Sequence, residues 1–137
     1  MVFGGINYLA VVIAALASFG FGGVYYMALS KPWMRSLGKS EDEMKAGSSK
    51  TPFVVAVIAE LIMAWILAGA VGHLGPGQVT LRNGMISAFI LWAGFVLTTM
   101  AVNHAYQGAK KTQTVIDTGH WLGVMLIQGL VIGLFGV

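Results

Sequence analysis

The 137-residue sequence contains no cysteine and few charged residues, eight basic and five acidic. The absence of cysteine excludes disulfide bonds and thiolate metal ligands, and it leaves the redox compartment undetermined. Charged residues make up 9% and hydrophobic residues 57% of the chain, a composition typical of a membrane protein. The net charge of +3 lies in predicted loops. It therefore bears on membrane orientation and lipid headgroups, and we expect no nucleic-acid partner.

Four long apolar segments dominate the chain, with little polar sequence between them. The predicted spans cover residues 3–29, 52–73, 83–107 and 114–136. Each has at least the ~20 residues that an α-helix needs to cross a hydrocarbon core. We therefore predict an all-α fold over residues 1–137, a single integral membrane bundle of four transmembrane helices with short loops and one longer cytoplasmic connector.

The connector between the first two spans is the longest polar run. Ser40 precedes Glu43 by three residues, a spacing typical of a capping box, so we predict a short surface helix that ends near Gly47. Thr51 is predicted to cap the second span. That span then starts at Pro52, because proline at the first helical position gives up an amide that has no partner.

Most of the basic residues fall in the first and third loops. The first loop contains Lys31, Arg35, Lys39, Lys45 and Lys50, the third contains Lys110 and Lys111, and the second contains Arg82 alone. Cytoplasmic loops of membrane proteins are enriched in lysine and arginine. We therefore expect loops 30–51 and 108–113 in the cytoplasm and both termini outside.

Several polar residues lie at similar distances from the predicted cytoplasmic ends of the spans. They are Tyr25, Tyr26, Glu60, Asn103, His104, Asp117 and His120. If each side chain points inward, they form one polar layer in the cytoplasmic third of the membrane. All of them except Tyr26 make up the candidate site. We predict no catalytic residue, no cofactor site and no metal site.

Glu60 is the most costly of these residues, because a charged side chain within a span costs about 3 kcal/mol on insertion scales. An intramembrane acid is by default a functional candidate. Two interpretations stay open for Glu60. It is either a proton or cation site, or a protonated or hydrogen-bonded group that holds helices together.

Asp117 and the two nearby histidines also allow more than one interpretation. Thr114 precedes Asp117 by three residues, so the pair fits a capping box, with the carboxylate at the positive end of the helix dipole. His104 and His120 can carry protons or bind a metal. The alternative is hydrogen bonding between helices. Two histidines and one acid on different helices are a weak metal signal.

The fourth span is predicted to have one polar face and one face of small residues. Asp117, His120, Val124 and Gln128 share the polar face at helical spacing. The glycines of the opposite face include two GxxxG spacings, formed by Gly119, Gly123, Gly129 and Gly133. Such spacings allow two backbones to approach closely in lipid. They predict helix packing, either inside the bundle or between copies of the chain.

Several short motifs resemble those of one family. They are residues 22–26 (GGVYY), 31–33 (KPW), 91–95 (LWAGF), Asn103, and 116–121 (IDTGHW). Together they look like the bacterial domain of unknown function 1761 family, and the likeness covers nearly the whole chain. The resemblance implies a small protein of the bacterial inner membrane that crosses it four times, and it implies no activity. Glu60 lies outside the pattern, and Tyr25 and Tyr26 stand where members often carry a Trp-Tyr pair.

Two classes of function are compatible with these features. The first is a small proton-linked or cation-linked transporter or channel that acts as an oligomer. The second is a non-catalytic membrane scaffold, or an accessory subunit of a larger complex. We do not expect an enzyme, because no serine or threonine is placed with a base that would activate it. The expected partners are membrane lipids and either a second copy of the chain or another membrane protein.

Overall fold

The computed structural model describes residues 3–136, and within them every regular element is helical. The helices are α1 (Tyr8–Ala28), α2 (Ser30–Leu37), α3 (Glu41–Ala46), α4 (Thr51–Gly72), α5 (Leu81–Leu91), α6 (Thr98–Gln107) and α7 (Lys111–Phe135). A π-helical segment, Trp92–Leu97, joins α5 to α6 without a break. The third span is therefore one continuous unit, Leu81–Gln107.

Four helices are long and apolar enough to cross a membrane: α1, α4, the unit Leu81–Gln107, and α7. This confirms the predicted fold class. The short helix α3 begins with the predicted capping box, in which the Ser40 side chain accepts from the Glu43 amide and the Glu43 side chain accepts from the Ser40 amide. The helix ends at Ala46, with Gly47 as its C-cap, as predicted.

The first span begins at Tyr8, and not at residue 3 as predicted. Asn7 caps α1, because its Oδ1 accepts a hydrogen bond of 3.1 Å from the amide of Ala10. Before the cap, Gly5 has a φ of +82°, which an α-helix does not contain. Phe3 instead packs across the bundle, with its ring centroid 5.0 Å from that of Trp65 on α4.

Three other helix starts also differ from the predictions. Thr51 is the first residue of α4 and makes no side-chain cap. Thr80 caps the third span by accepting from the Asn83 amide, so this span begins at Leu81. The fourth span begins at Lys111, which places Thr114 inside α7. The capping box predicted for Thr114 and Asp117 is therefore wrong, since neither residue lies at the helix start.

The fourth span, α7, is the centre of the bundle and packs against α1, α4 and α5. The ends of the bundle differ in character. We call the end that carries residues 29–50 and 108–110 the connector end. The buried apolar core lies in the half farther from it, and includes Val11, Ala14, Ala64, Leu67, Val71, Ala88, Met125 and Ile132. The half nearer the connector end contains most of the buried polar side chains.

The glycines of α7 allow close approach on two sides of the helix. A side chain at Gly119 or Gly123 would collide with Tyr25 or Phe21 of α1. Gly129 instead meets the backbone of Gly84 and the side chain of Ala88 on α5, while Gly133 meets Thr80 and Leu81. The two GxxxG spacings thus face different neighbours within the bundle. In lipid, where packing drives helix association, such contacts set the distance between spans.

We expect Gly129→Ala to lower the free energy of unfolding by roughly 1–3 kcal/mol, because the new methyl group would overlap the backbone of Gly84. The measurement is thermal or chemical unfolding in detergent. Gly23→Ala is the matched control, since no atom lies within 4 Å of a Cβ at Gly23. Equal stability of the two variants would contradict the close packing of α5 on α7.

Candidate functional site

Asp117 is the meeting point of the polar side chains near the connector end. Its Oδ1 accepts hydrogen bonds from the hydroxyl of Tyr26 at 2.7 Å and from Nε1 of Trp33 at 3.1 Å. Its Oδ2 lies 3.9 Å from Nε2 of His104. The side chains of His104 and Asp117 are 12% and 14% exposed. The carboxylate therefore links α7 to α1, α2 and α6, through contacts that are largely shielded from solvent.

The neighbours of Asp117 on α7 bind the other helices through backbone carbonyls and a hydroxyl. Tyr25 donates from its hydroxyl to the carbonyl of Ile116 at 2.7 Å. Trp92, at the start of the π-helical segment, donates from Nε1 to the carbonyl of Thr118 at 2.9 Å. His104 Nδ1 lies 2.9 Å from the hydroxyl of Thr114. Thr114 thus contacts α6, and does not act in a cap.

His120 lies one turn deeper, in a box of aromatic rings. Its ring centroid is 4.8 Å from that of Tyr26, 5.7 Å from that of Tyr25 and 6.3 Å from that of Phe21. The residue is 7% exposed, and its Nδ1 is buried without a hydrogen-bond partner among residues 3–136. Gly22 makes this approach possible, because a Cβ there would lie 2.7 Å from Nε2 of His120.

Glu60 forms a second, separate cluster in the middle of the bundle, where it is 1% exposed. Ser18 donates to Oε2 of Glu60 at 2.5 Å. Gln128 donates from Nε2 to the hydroxyl of Ser18 and to the backbone carbonyl of Glu60, each at 3.1 Å. Within the described part of the chain, no basic side chain lies within ion-pair distance of Glu60.

The two clusters lie along the same face of α7. Gln128 is two turns beyond His120, about 12 Å along the helix axis. Val124, which is fully buried, lies between them. Opposite this face, α1 contributes Ser18 and, one turn later, Gly22. We call the two clusters, together with the contacts between α1 and α7 that connect them, the polar seam.

The structure brings Tyr25, His104, Asp117 and His120 together, with Tyr26 beside them. It does not bring Glu60 or Asn103 into the same group. Glu60 lies deeper, and Asn103 is exposed on the outer side of α6. The prediction of a single polar layer is therefore wrong for these two residues. Asn103 is exposed because α6 has little contact with the rest of the bundle and buries no residue.

Side chains outside the predicted site also contribute to the clusters: Ser18, Tyr26, Trp33, Trp92, Thr114 and Gln128. Helical periodicity places Gln128 on the polar face of His120 and Ser18 on the face of Tyr25, although neither belongs to the predicted site. Trp33 and Trp92 also fit the usual interfacial or packing roles of tryptophan. No pattern in the sequence marks them as partners of α7.

Neither cluster resembles a metal centre. Among residues 3–136, no group of three or more histidine, cysteine, aspartate or glutamate side chains is arranged to hold a metal ion. A cavity of about 360 Å³ lies away from both clusters, at the end of the bundle opposite the connector. It is lined largely by apolar and glycine residues from the start of α1, the turn after α4 and the end of α7.

Comparison with known proteins gives a family and no activity. The family described as "Protein of unknown function (DUF1761)" matches residues 9–133. No curated protein and no solved structure matches the chain significantly. The family match confirms the resemblance of the sequence motifs, which include residues 116–121 around Asp117 and His120.

We expect the Tyr26 hydroxyl and the Asp117 carboxylate to be energetically linked, because their hydrogen bond joins two spans. A double-mutant cycle of Tyr26→Phe and Asp117→Asn, measured by unfolding in detergent, should give a coupling of roughly 1 kcal/mol. Tyr106→Phe is the control in the same cycle, since Tyr106 is 91% exposed and should give no coupling. A coupling free energy of zero between Tyr26→Phe and Asp117→Asn would contradict this contact.

Proposed function

This chain belongs to the DUF1761 family of proteins of unknown function, and we propose, from the geometry of the polar seam, that it is a small proton-linked membrane transporter. In this proposal, protons pass along the polar seam between Asp117, near the connector end, and Glu60 in the middle of the bundle. Four helices long and apolar enough to span a membrane supply the setting.

The observation that carries the proposal is a pair of buried polar atoms without partners, His120 Nδ1 and Gln128 Oε1. Each such atom costs about 1–3 kcal/mol. A cluster that served only to hold helices together would satisfy its buried polar groups. Both atoms belong to the same face of α7, where His120 lies one turn from Asp117 and Gln128 lies in the cluster of Glu60. Water molecules that enter the seam would satisfy both atoms, and a chain of water and side chains can conduct protons.

The side chains of the seam fit distinct roles in this path. His104 and Asp117 keep some exposure near the connector end, so they can exchange protons with the adjacent solution. His120 can accept and release a proton at its free Nδ1. Glu60 is the innermost ionisable group, and intramembrane acids of this kind commonly mark proton relays. A proton also needs no cavity and no set of three ligands, unlike a metal ion.

The half of the bundle beyond Glu60 favours a carrier over an open channel. Leu67, Val71 and Ala14 are fully or almost fully buried there and belong to one apolar cluster. A proton that reaches Glu60 from the connector end therefore meets a closed apolar layer. Release to the other side would require a second arrangement of the helices, as in alternating access.

A second function, that of a membrane scaffold or accessory subunit, is favoured by the third span. Only 6% of its most apolar window is buried, against 44% for α7. In α6 no residue is buried, and Thr98, Thr99 and Asn103 are exposed. A span with so little contact in its own bundle has a free face for another helix. The predicted homo-oligomer and the predicted membrane partner would both use this face.

The transport proposal predicts that Glu60→Gln and Asp117→Asn each reduce proton flux in liposomes to the level of protein-free liposomes. Each change keeps the shape of the side chain and removes its ability to carry a proton as a carboxylate. Flux is followed with a pH-sensitive dye enclosed in the liposomes. Glu41→Gln on α3 is the control, because Glu41 is exposed and pairs only with Lys45. Full flux in both seam variants would overturn the proposal.

The scaffold alternative predicts contacts at the outer face of α6. Because the chain contains no cysteine, Ala101→Cys introduces a single thiol on this face, where Ala101 is exposed. Oxidation in native membranes should form a disulfide between two copies if the chain forms a homo-oligomer, whereas a photo-activated cross-linker attached to the thiol should capture another polypeptide if the chain is an accessory subunit. Val12→Cys on α1 is the control. Equal cross-linking of both variants would remove the support for the scaffold.

A further inference from the structure

The connector end carries a patch of exposed basic side chains that the polar seam does not use. It consists of Lys31 and Arg35 on α2, Lys39 just after α2, and Lys110 and Lys111 at the start of α7. Within residues 3–136 none of these five forms an ion pair. The two parts of the patch adjoin, because Lys110 donates from Nζ to the backbone carbonyl of Arg35 at 3.4 Å.

The helix α2 is placed at the edge of the apolar bundle. Only Leu29 separates it from α1, and backbone hydrogen bonds continue through this junction, from Leu29 to Tyr25 and from Trp33 to Leu29. The helix has two faces. Ser36 is buried and Trp33 is half-buried, whereas Lys31 and Arg35, one turn apart, are exposed. An amphipathic helix that follows a span in this way lies at the level of the lipid headgroups.

The charge of the patch is not balanced by acids on the same elements. α2 contains no acidic residue, and α7 has none in its first turn. Three of the five acids of the chain, Glu41, Asp42 and Glu43, are exposed on α3. The other two, Glu60 and Asp117, are held inside the bundle by hydrogen bonds. A surface of one sign beside the headgroup layer complements an anion in that layer.

We propose that this patch binds the phosphate headgroup of an anionic phospholipid in the adjacent leaflet. The guanidinium of Arg35 can hold a phosphate through two parallel hydrogen bonds, and the lysine ammonium groups add point charges around it. The lipid is favoured over a soluble phosphate compound because α2 lies at the bundle edge, where acyl chains continue from the headgroup along α1. Binding of the headgroup does not rest on the proton-transport proposal.

The bound headgroup also acts on the polar seam through α2. Trp33 lies on the inner face of α2 and donates to Asp117 at 3.1 Å, while Lys31 and Arg35 lie on the outer face. A headgroup held by the outer face therefore fixes α2 in the position that keeps the indole on the carboxylate. The effect of the headgroup on the Trp33–Asp117 contact does not depend on the proposed function. Only its consequence for proton movement rests on that function. As a structural contact it can be measured by itself.

The test compares lipid retention in the full-length protein by native mass spectrometry. The protein is equilibrated in detergent micelles doped with phosphatidylglycerol or with phosphatidylcholine. We expect retention of phosphatidylglycerol by the unmodified chain. Each neutralised charge should weaken retention by about fivefold, so Arg35→Gln/Lys110→Gln should weaken it by about 25-fold. The matched control, Lys45→Gln/Lys50→Gln, removes two charges from the same connector outside the patch and should retain the lipid.

Three outcomes would overturn the inference. One is equal retention of the two lipids by the unmodified chain, and another is equal loss in the patch variant and the control. The third is displacement of the lipid by glycerol 3-phosphate at matched concentration, which would make a soluble phosphate the ligand. If the first patch variant does not fold, Lys31→Gln/Lys111→Gln tests the same surface. Because lipid retention is the readout, failure of proton flux leaves this result unaffected.

Discussion

The hydrogen bonds to the carboxylate of Asp117 are the interaction on which the connector half of the bundle depends. A carboxylate in a membrane span needs donors, because neither lipid nor apolar side chains replace the water that it loses. Tyr26 and Trp33 supply them, which holds both α1 and the interfacial helix α2 on α7. Gly22 then allows α1 to approach closely enough for the aromatic rings to enclose His120.

Composition and capping chemistry were sufficient to predict the four spans and the short helix of the connector. They could not predict where α7 begins, since Lys110, its N-cap, makes no side-chain cap, and the true start changes the role of Asp117. The exposure of Asn103 follows from the weak packing of α6, which buries no residue, and helical spacing within one span does not reveal how closely that span packs. Ser18, Glu60 and Gln128 meet from three different helices, so no local spacing could reveal their contact.

The two halves of the bundle have different interiors, one with many polar side chains and one apolar. In the connector half, polar side chains from four helices meet α7, and His120 Nδ1 is buried without a hydrogen-bond partner among the described residues. In the other half, glycines bring α5 onto α7 and an apolar core closes the interior. Val124 lies between His120 and Glu60's cluster on the one face that connects them. The transport proposal therefore requires that protons pass Val124 to reach Glu60.

The most direct test of this account is infrared difference spectroscopy of the protein in liposomes, recorded between buffers of low and high pH. The carboxylic-acid C=O band reports whether a buried glutamate gains and loses its proton. If Glu60 carries protons, a pH-dependent band appears in the unmodified chain and is missing in Glu60→Gln. An identical difference spectrum for the two proteins would contradict it, because Glu60 would then exchange no proton with the solution.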